Sequence, residues 1–421
     1  MRRLQKRIIG KPVVAVTAAL ALAMMIGGLV AADEHMSPVA TELERPRGLA
    51  VQDDGNLLVA EGAGGRILEV APDGTVTEIL TGIPTTTGMV EGQEETTGVS
   101  TAIEMDGTYY YVVGEDLEGD VDGMESLYEF TPGEDPELIA DLGEYERANN
   151  TDDGTTPDGE PDLLSNPYDL VAAPMGGFFV SDAGANAVLH VTESGDITPY
   201  AIFPDRANPM SGTAGEPTMD VVPTGLEIGP DDSLYMTSLT GFPYPSGEAR
   251  VYRITDLNGD GDATDGGEIR IFAQGLTTAT DLAFDSDGSI LVTEFSTDML
   301  AEEPQPGRLM RYRAGSLSTV AEDLPSPTSV VVGEDENIYA SLELAGIVAR
   351  VFRPGDEPTP GDGTPTPPPA TPAPSMDFEP SLPRTGGVAP TTGMALGVLI
   401  VGIVVAGTGF AYATRRKRQE G

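Results

Sequence analysis

Short apolar runs separated by paired turn residues recur along the middle of this chain. In the first instance Arg45-Pro46-Arg47-Gly48-Leu49-Ala50-Val51 leads to a turn at Asp54-Gly55. Leu57 to Glu61, Gly65 to Val70, a second turn at Asp73-Gly74, and Val76 to Leu80 follow. Runs of this length alternating with Asp-Gly turns predict four β-strands joined by tight hairpins. The opening phrase returns at Asn166-Pro167-Tyr168-Asp169-Leu170, Val222-Pro223-Thr224-Gly225-Leu226, Ala279-Thr280-Asp281-Leu282-Ala283 and Ser326-Pro327-Thr328-Ser329-Val330, with a weaker copy from Thr97-Gly98-Val99. A strand-rich repeat of about 40 to 50 residues marks a β-propeller. Six copies predict an all-β, six-bladed β-propeller across residues 38–353, with helices nearly absent and insertions at 114–123, 144–165, 203–221 and 240–248.

A propeller has to join its last blade to its first, or it leaves open sheet edges. The sixth copy ends at Val348-Ala349-Arg350-Val351-Phe352, one strand short of four. Val39-Ala40-Thr41-Glu42-Leu43 precedes the first copy just as Val320-Ala321-Glu322-Asp323-Leu324 precedes the last. Residues 38–44 are therefore expected to supply the outer strand of blade six.

Both ends of the chain carry signals of another kind. Arg2, Arg3, Lys6, Arg7 and Lys11 precede an apolar run from Val13 to Ala31, which reads as a secretory signal peptide over 1–32, with an uncleaved membrane anchor as the alternative. Residues 354–380 are dense in Pro and Thr, and such chain favours extended polyproline II, predicting a disordered, semi-rigid stalk. Leu382, Pro383, Arg384, Thr385 and Gly386 then precede an apolar stretch, 394–413, expected as a transmembrane helix, and a basic cytoplasmic tail, 414–421. That order resembles the LPXTG sorting signal. The resemblance implies a sortase as partner, cleavage between Thr385 and Gly386, and attachment to a cell wall. The alternative is a single-pass membrane anchor whose basic cluster stays on the cytoplasmic side. Either reading puts the folded part outside the cell, tethered by its C-terminus.

Charge narrows the range of partners. Residues 33–380 carry 13 arginines and no lysine against 67 acidic residues, a formal charge of −54. Such a surface repels nucleic acid and anionic lipid, and attracts cations and basic partners. Solubility in a salty exterior explains the same charge without any specific role.

Several phrases within the repeats are more distinctive than the repeat itself. Ser165-Asn166-Pro167-Tyr168-Asp169-Leu170, Val180-Ser181-Asp182-Ala183-Gly184-Ala185-Asn186-Ala187-Val188-Leu189, Leu239-Thr240-Gly241-Phe242-Pro243-Tyr244-Pro245 and Glu144-Tyr145-Glu146 with Asn149-Asn150 resemble the ScyD/ScyE family. The chain is similar, more distantly, to NHL-repeat propellers. The resemblance covers roughly residues 38–353, implies the propeller fold, and brings no defined activity with it.

Candidate chemistry is sparse. The chain has no cysteine, which excludes thiol nucleophiles, disulfides and Cys-ligated zinc. Of its two histidines, His35 lies beside the expected cleavage site and His190 within a strand, where a packing role is expected. No Gly-rich phosphate loop follows a strand and opens a helix. Gluconolactonase-type propellers hold a divalent cation on the axis through carboxylates and amides. The corresponding position after each second strand reads Glu61, Glu115, Asp182, Ser238, Glu294 and Leu342, so Glu61, Glu115, Asp182 and Glu294 form a candidate axial cation site. Like charges gathered there would need a cation or raised pKa values. Strand ends facing water are the plainer explanation.

A second metal candidate is Asp256, Asn258, Asp260 and Asp262, spaced as in the first half of an EF-hand loop, with Gly261 at the sharp turn. The twelfth position is Gly267, and the closing acid, Glu268, comes one place late. Since 251–254 and 268–271 read as adjacent strands, this would be a hairpin stiffened by structural Ca2+. Two functions follow from these features. The favoured one is a non-enzymatic, surface-displayed module binding an extracellular ligand, and the alternative is a metal-dependent hydrolase or lactonase working at the axial carboxylates.

Overall fold

The repeated phrase sets the shape of each blade's innermost strand. In the computed structural model, which describes residues 35–355 apart from 91–92, 120, 157–158 and 302–304, six four-stranded antiparallel sheets stand round a central axis. Blade one runs outward through Pro46–Val51, Leu57–Glu61, Arg66–Val70 and Val76–Thr81. The inner strands of blades two to six are Val99–Met105, Pro167–Ala172, Pro223–Ile228, Ala279–Phe284 and Pro327–Val332. Neighbouring inner strands touch one another all the way round the ring. The expected signal peptide, the stalk beyond residue 355, the sorting signal, the transmembrane helix and the tail lie outside the described residues. Among the described residues, no helix is long and apolar enough to cross a membrane.

Every inner strand carries a β-bulge near its start, shifting register between Pro46 and Leu49, Val99 and Thr101, Pro167 and Asp169, Pro223 and Leu226, Ala279 and Asp281, and Pro327 and Ser329. A bulge leaves residues unpaired and re-aims their side chains. Here it gathers Arg47, Ser100, Tyr168 and Thr328 round a central cavity and turns Thr224 and Thr280 towards the next blade. Proline suits the first position because the ladder asks for no donor there. Gly48 and Gly225 lie where a Cβ would run into the side chains of Thr101 and Asp281 on the next blade, so these two strands approach their neighbours more closely than any other residue allows.

Between blades the sheets pack face to face through apolar side chains, as Phe179 and Tyr200 of blade three do against Leu226, Met236 and Tyr252 of blade four. Closure follows the expected scheme. Met36–Ala40 is the outer strand of blade six and pairs antiparallel with Ile347–Val351, from Met36 opposite Val351 to Ala40 opposite Val348. The pairing lies two residues nearer the N-terminus than the sequence suggests. A bulge between Pro38 and Ala40 and a positive φ of 64° at Glu42 turn the chain off the sheet early. Leu43 N still donates to Gly346 O at 3.0 Å, and Phe352 N to His35 O at 2.8 Å.

Inserted elements depart from the repeat, among them a helix and a hairpin. Helix α1, Leu142–Asn149, starts at Asp141, whose carboxylate accepts from Glu144 N at 2.6 Å. A hairpin of Thr86–Val90 and Gln93–Thr97 stands between blades one and two. In an antiparallel blade, the connections from outer strand to next inner strand and from second to third strand share one end. The hairpin, the loops 114–125, 239–248 and 295–306, and the segments 142–165 and 203–222 are all such connections. The 255–268 loop joins a third strand to an outer one and lies at the opposite end.

Candidate functional site

On the axis, the bulged residues of successive blades are stitched together. Thr224 Oγ1 donates to Ala279 O (3.1 Å), Thr280 Oγ1 to Pro327 O (3.1 Å) and Thr328 Oγ1 to Pro46 O (3.3 Å), each crossing to the next blade. Two aspartates do the same with carboxylates. Asp169 Oδ2 accepts from Leu226 N at 2.7 Å, while Asp281 Oδ2 accepts from Ser329 Oγ at 2.6 Å and Val330 N at 2.9 Å. Ser329 Oγ in turn accepts from Leu49 N at 3.1 Å, carrying the chain of bonds from blade six to blade one. Burial pushes the Asp169 carboxyl up to about 6, and burial with the Asp169 charge pushes Asp281 well above the usual range. A cavity of about 10 Å³, the room one water needs, lies among Arg47, Ser100, Tyr168, Asp169, Asp281 and Ser329.

The mouth of the channel, on the loop-bearing end, is divided in character. On the side of blades three to five, Tyr168, Leu239, Tyr244 and Phe295 form an apolar cluster with Met299 packed against it. On the side of blades six, one and two, charged groups are drawn inside. Arg47 is buried with its guanidinium 5.2 Å from the centre of the Tyr168 ring. Arg45 Nη1 pairs with Glu343 Oε1 at 3.1 Å. From the hairpin, Glu95 is 1 % exposed, and neither of its carboxylate oxygens has a hydrogen-bond partner. Burial pushes its carboxyl up to about 8, opposed by Arg45 and Arg47 and reinforced by Glu343 and Glu115.

The four carboxylates expected on the axis are all buried, and three of them brace loops. Glu61 accepts from Glu44 N at 2.7 Å and from Arg66 Nε, and Glu294 accepts from Thr277 N at 2.6 Å and from Arg308 Nε. In both blades the next residue, Arg45 or Thr278, has a left-handed backbone just before the inner strand begins. The carboxylate thus fixes a turn that is unfavourable for a residue with a Cβ. Asp182 accepts from Ser165 Oγ, Asn166 N, Gly184 N and Ala185 N. Glu115 lies near the mouth, where its backbone oxygen accepts from Thr97 Oγ1 at 2.7 Å.

At the far end, the 255–268 loop is a hairpin connection, with Ile254 opposite Ile269. Asp256 accepts from Gly259 N and Gly261 N, and Asn258 Nδ2 bridges Asp260 Oδ2 (2.9 Å) and Asp265 Oδ2 (2.8 Å). Asp262 Oδ1 accepts from Thr264 N, and the buried Glu268 closes the loop by accepting from Leu257 N (2.8 Å) and Asp265 N (3.0 Å). These are hard oxygen donors of the kind calcium takes. Among the described residues, no three acidic or histidine side chains are gathered as a bound metal would hold them. His190 Nε2 donates to Gly176 O at 2.7 Å and the ring lies beside Phe179, as a packing residue would. The sorting-signal residues 382–386 lie outside the described residues.

Sequence reasoning singled out the strand-end carboxylates and missed the groups that line the axial cavity. The signal was present at the third residue of each inner strand, which reads Gly48, Thr101, Asp169, Gly225, Asp281 and Ser329. Glu95 had none, because it sits in a polar, threonine-rich segment with no apolar alternation.

No family model matches the chain, and no curated protein matches it. Solved structures do. The chain is similar to a streptogramin B lyase at 12% identity (76% of this chain, 96% of that one, TM-score 0.44). It is similar to virginiamycin B lyase from Staphylococcus aureus, described with quinupristin, at 14% identity (76% and 98%, TM-score 0.44). It is also similar to the PQQ-bound aldose sugar dehydrogenase of Streptomyces coelicolor at 14% identity (75% and 95%, TM-score 0.47). These likenesses concern the propeller architecture alone.

Proposed function

We propose that this chain is an exported, surface-displayed binding module, of the ScyD/ScyE kind, whose loop-bearing face engages an extracellular partner. One observation carries the reading: six of the seven longest connections among the described residues, all but 255–268, emerge at one end of the axis, round a mouth with an apolar and a charged half. A rigid scaffold presenting variable loops on one face suits recognition. The N-terminal segment would direct export, and the LPXTG-like residues 382–386 would serve sortase attachment beyond the Pro/Thr stalk. A metal-dependent hydrolase or lactonase draws less support, since Glu61 and Glu294 already each satisfy a backbone N–H and an arginine.

The test is to screen extracellular glycans and proteins against the domain and against two trimmed forms. One replaces 86–97 by a two-residue turn, and the other shortens 255–268. Binding should vanish with the first trimming and survive the second. Binding that survives the first and is lost with the second would overturn the assignment of the face.

Calcium at the 255–268 loop is a separate part of the proposal. At a hundredfold excess over its dissociation constant, calcium should raise the melting temperature of the wild-type domain by about 5 °C. Asp256→Ala and Asp260→Ala should each remove that gain, as read by thermal melting with and without chelator. Equal gains in wild type and both variants would rule the loop out as the site.

A further inference from the structure

Among the described residues, Glu95 is the one buried carboxylate at the mouth with both oxygens free of hydrogen-bond partners, and the groups round it say what it lacks. Facing it are Arg45 and Arg47 of blade one, Glu343 of blade six and Glu115 of the loop after blade two's second strand. With Glu95 included, three carboxylates stand against two guanidinium groups. Arg45 is already paired to Glu343, and Arg47 is stacked on Tyr168. Neither therefore satisfies Glu95, whose two oxygens are left without a donor. Ser100 Oγ, which lines the axial cavity beside Arg47, is also buried without a hydrogen-bond partner. A buried acceptor left unmade is costly, and natural proteins keep few of them without a purpose.

We propose that the channel mouth receives one organic cation, a primary ammonium or guanidinium group presented by a basic partner, and that Glu95 is its acceptor. This deepens the binding-module reading and rests on it. An N–H donor of that class supplies the missing hydrogen bonds and its charge takes the place of the proton, whereas an anion would meet three carboxyl groups. The acidic surface draws basic chains in from a distance, and Glu95 selects the side chain that enters. Because the empty carboxyl holds its proton near neutral pH, seating a cation beside it releases that proton.

The experiment is calorimetric titration of the propeller domain with an oligolysine peptide, at pH 7 and low salt, in two buffers of different ionisation enthalpy. Wild type should bind with release of about one proton per site, and the release should fade above the pH at which Glu95 ionises unaided. Glu95→Gln should bind about tenfold more weakly and release no proton, and melting should show it folded. Glu193→Gln, in an exposed turn at the opposite end, should match wild type. Unchanged affinity and proton release in Glu95→Gln would assign the binding to the general acidic surface and overturn the proposal. So would the absence of any binding or proton release in wild type, an outcome that also decides the matter if Glu95→Gln does not fold. Should oligolysine fail while another ligand still depends on hairpin 86–97, the cation site falls and the binding-face reading stands.

Discussion

Deleting residues 36–40 will abolish cooperative melting of the propeller, the largest effect expected from any short change in this chain. The strand does more than cover an edge. It supplies the fourth strand of blade six and places Ala40 in a cluster with Leu49, Leu57 and Tyr339, which bridges blades six and one. Without it, Ile347–Val351 becomes an exposed edge with unpaired N–H and C=O groups. The inter-blade cluster opens at the same time. A peptide of residues 33–44 added in trans should restore a melting transition in proportion to its concentration. A deletion that melts like wild type would show that the ring closes by some other contact.

Asp281→Ala should cost about 2–5 kcal/mol, since it strands Val330 N and Ser329 Oγ inside the ring, at roughly 1–3 kcal/mol for each donor left without a partner. Urea melts would read the loss as a lower midpoint at unchanged slope. The pH dependence follows from the same aspartates, with a sign opposite to ordinary acid denaturation. Burial raises Asp169 to about 6, Glu227 and Glu146 to about 7 and Glu95 to about 8. A carboxyl whose folded pKa lies above its unfolded value binds protons more tightly when folded. Its stabilising contribution is full below about pH 4 and is lost as pH rises through the folded value. The domain should therefore melt at higher temperature at pH 5 than at pH 8, with Asp169 alone contributing on the order of 1 kcal/mol to the difference. Below pH 4 stability should fall again, because Asp231, Asp285 and Asp335 are held below the usual range and lose their partners on protonation. In Asp169→Asn the rise between pH 8 and pH 5 should shrink. A wild-type domain more stable at pH 8 than at pH 5 would show the axial carboxylates to be ionised in the fold.

The fold was legible because a propeller writes itself as local repetition. Each hairpin is fixed by its own turn, as at Asp54-Gly55, and each inner strand by its own Pro or Gly phrase. Even closure could be inferred, since a missing strand at one end matched a spare one at the other. The site is different in kind. Asp281 meets Val330, and Arg45 meets Glu343, across separations of 49 and 298 residues, and no local pattern announces such meetings. The carboxylates at the ends of the second strands could be read from the repeat as residues sharing one place in each blade. The left-handed turns that Glu61 and Glu294 brace became visible only with the backbone in place. The hairpin that carries Glu95 is held by threonine pairs, Thr86 with Thr97 and Thr87 with Thr96, and so lacked the apolar alternation by which strands are recognised.

The pairing of Met36–Ala40 with Ile347–Val351 also sets an order of events. Synthesis runs from the N-terminus, so the first strand to be made is the last to find its place. It must wait until some three hundred further residues have been joined and five blades have formed. Throughout that interval blade one has no neighbour on its closing side, and the growing ring is an open arc with two exposed edges. Contacts of such sequence separation form slowly. The state most in need of protection from self-association is therefore the nearly complete chain, one strand from closure.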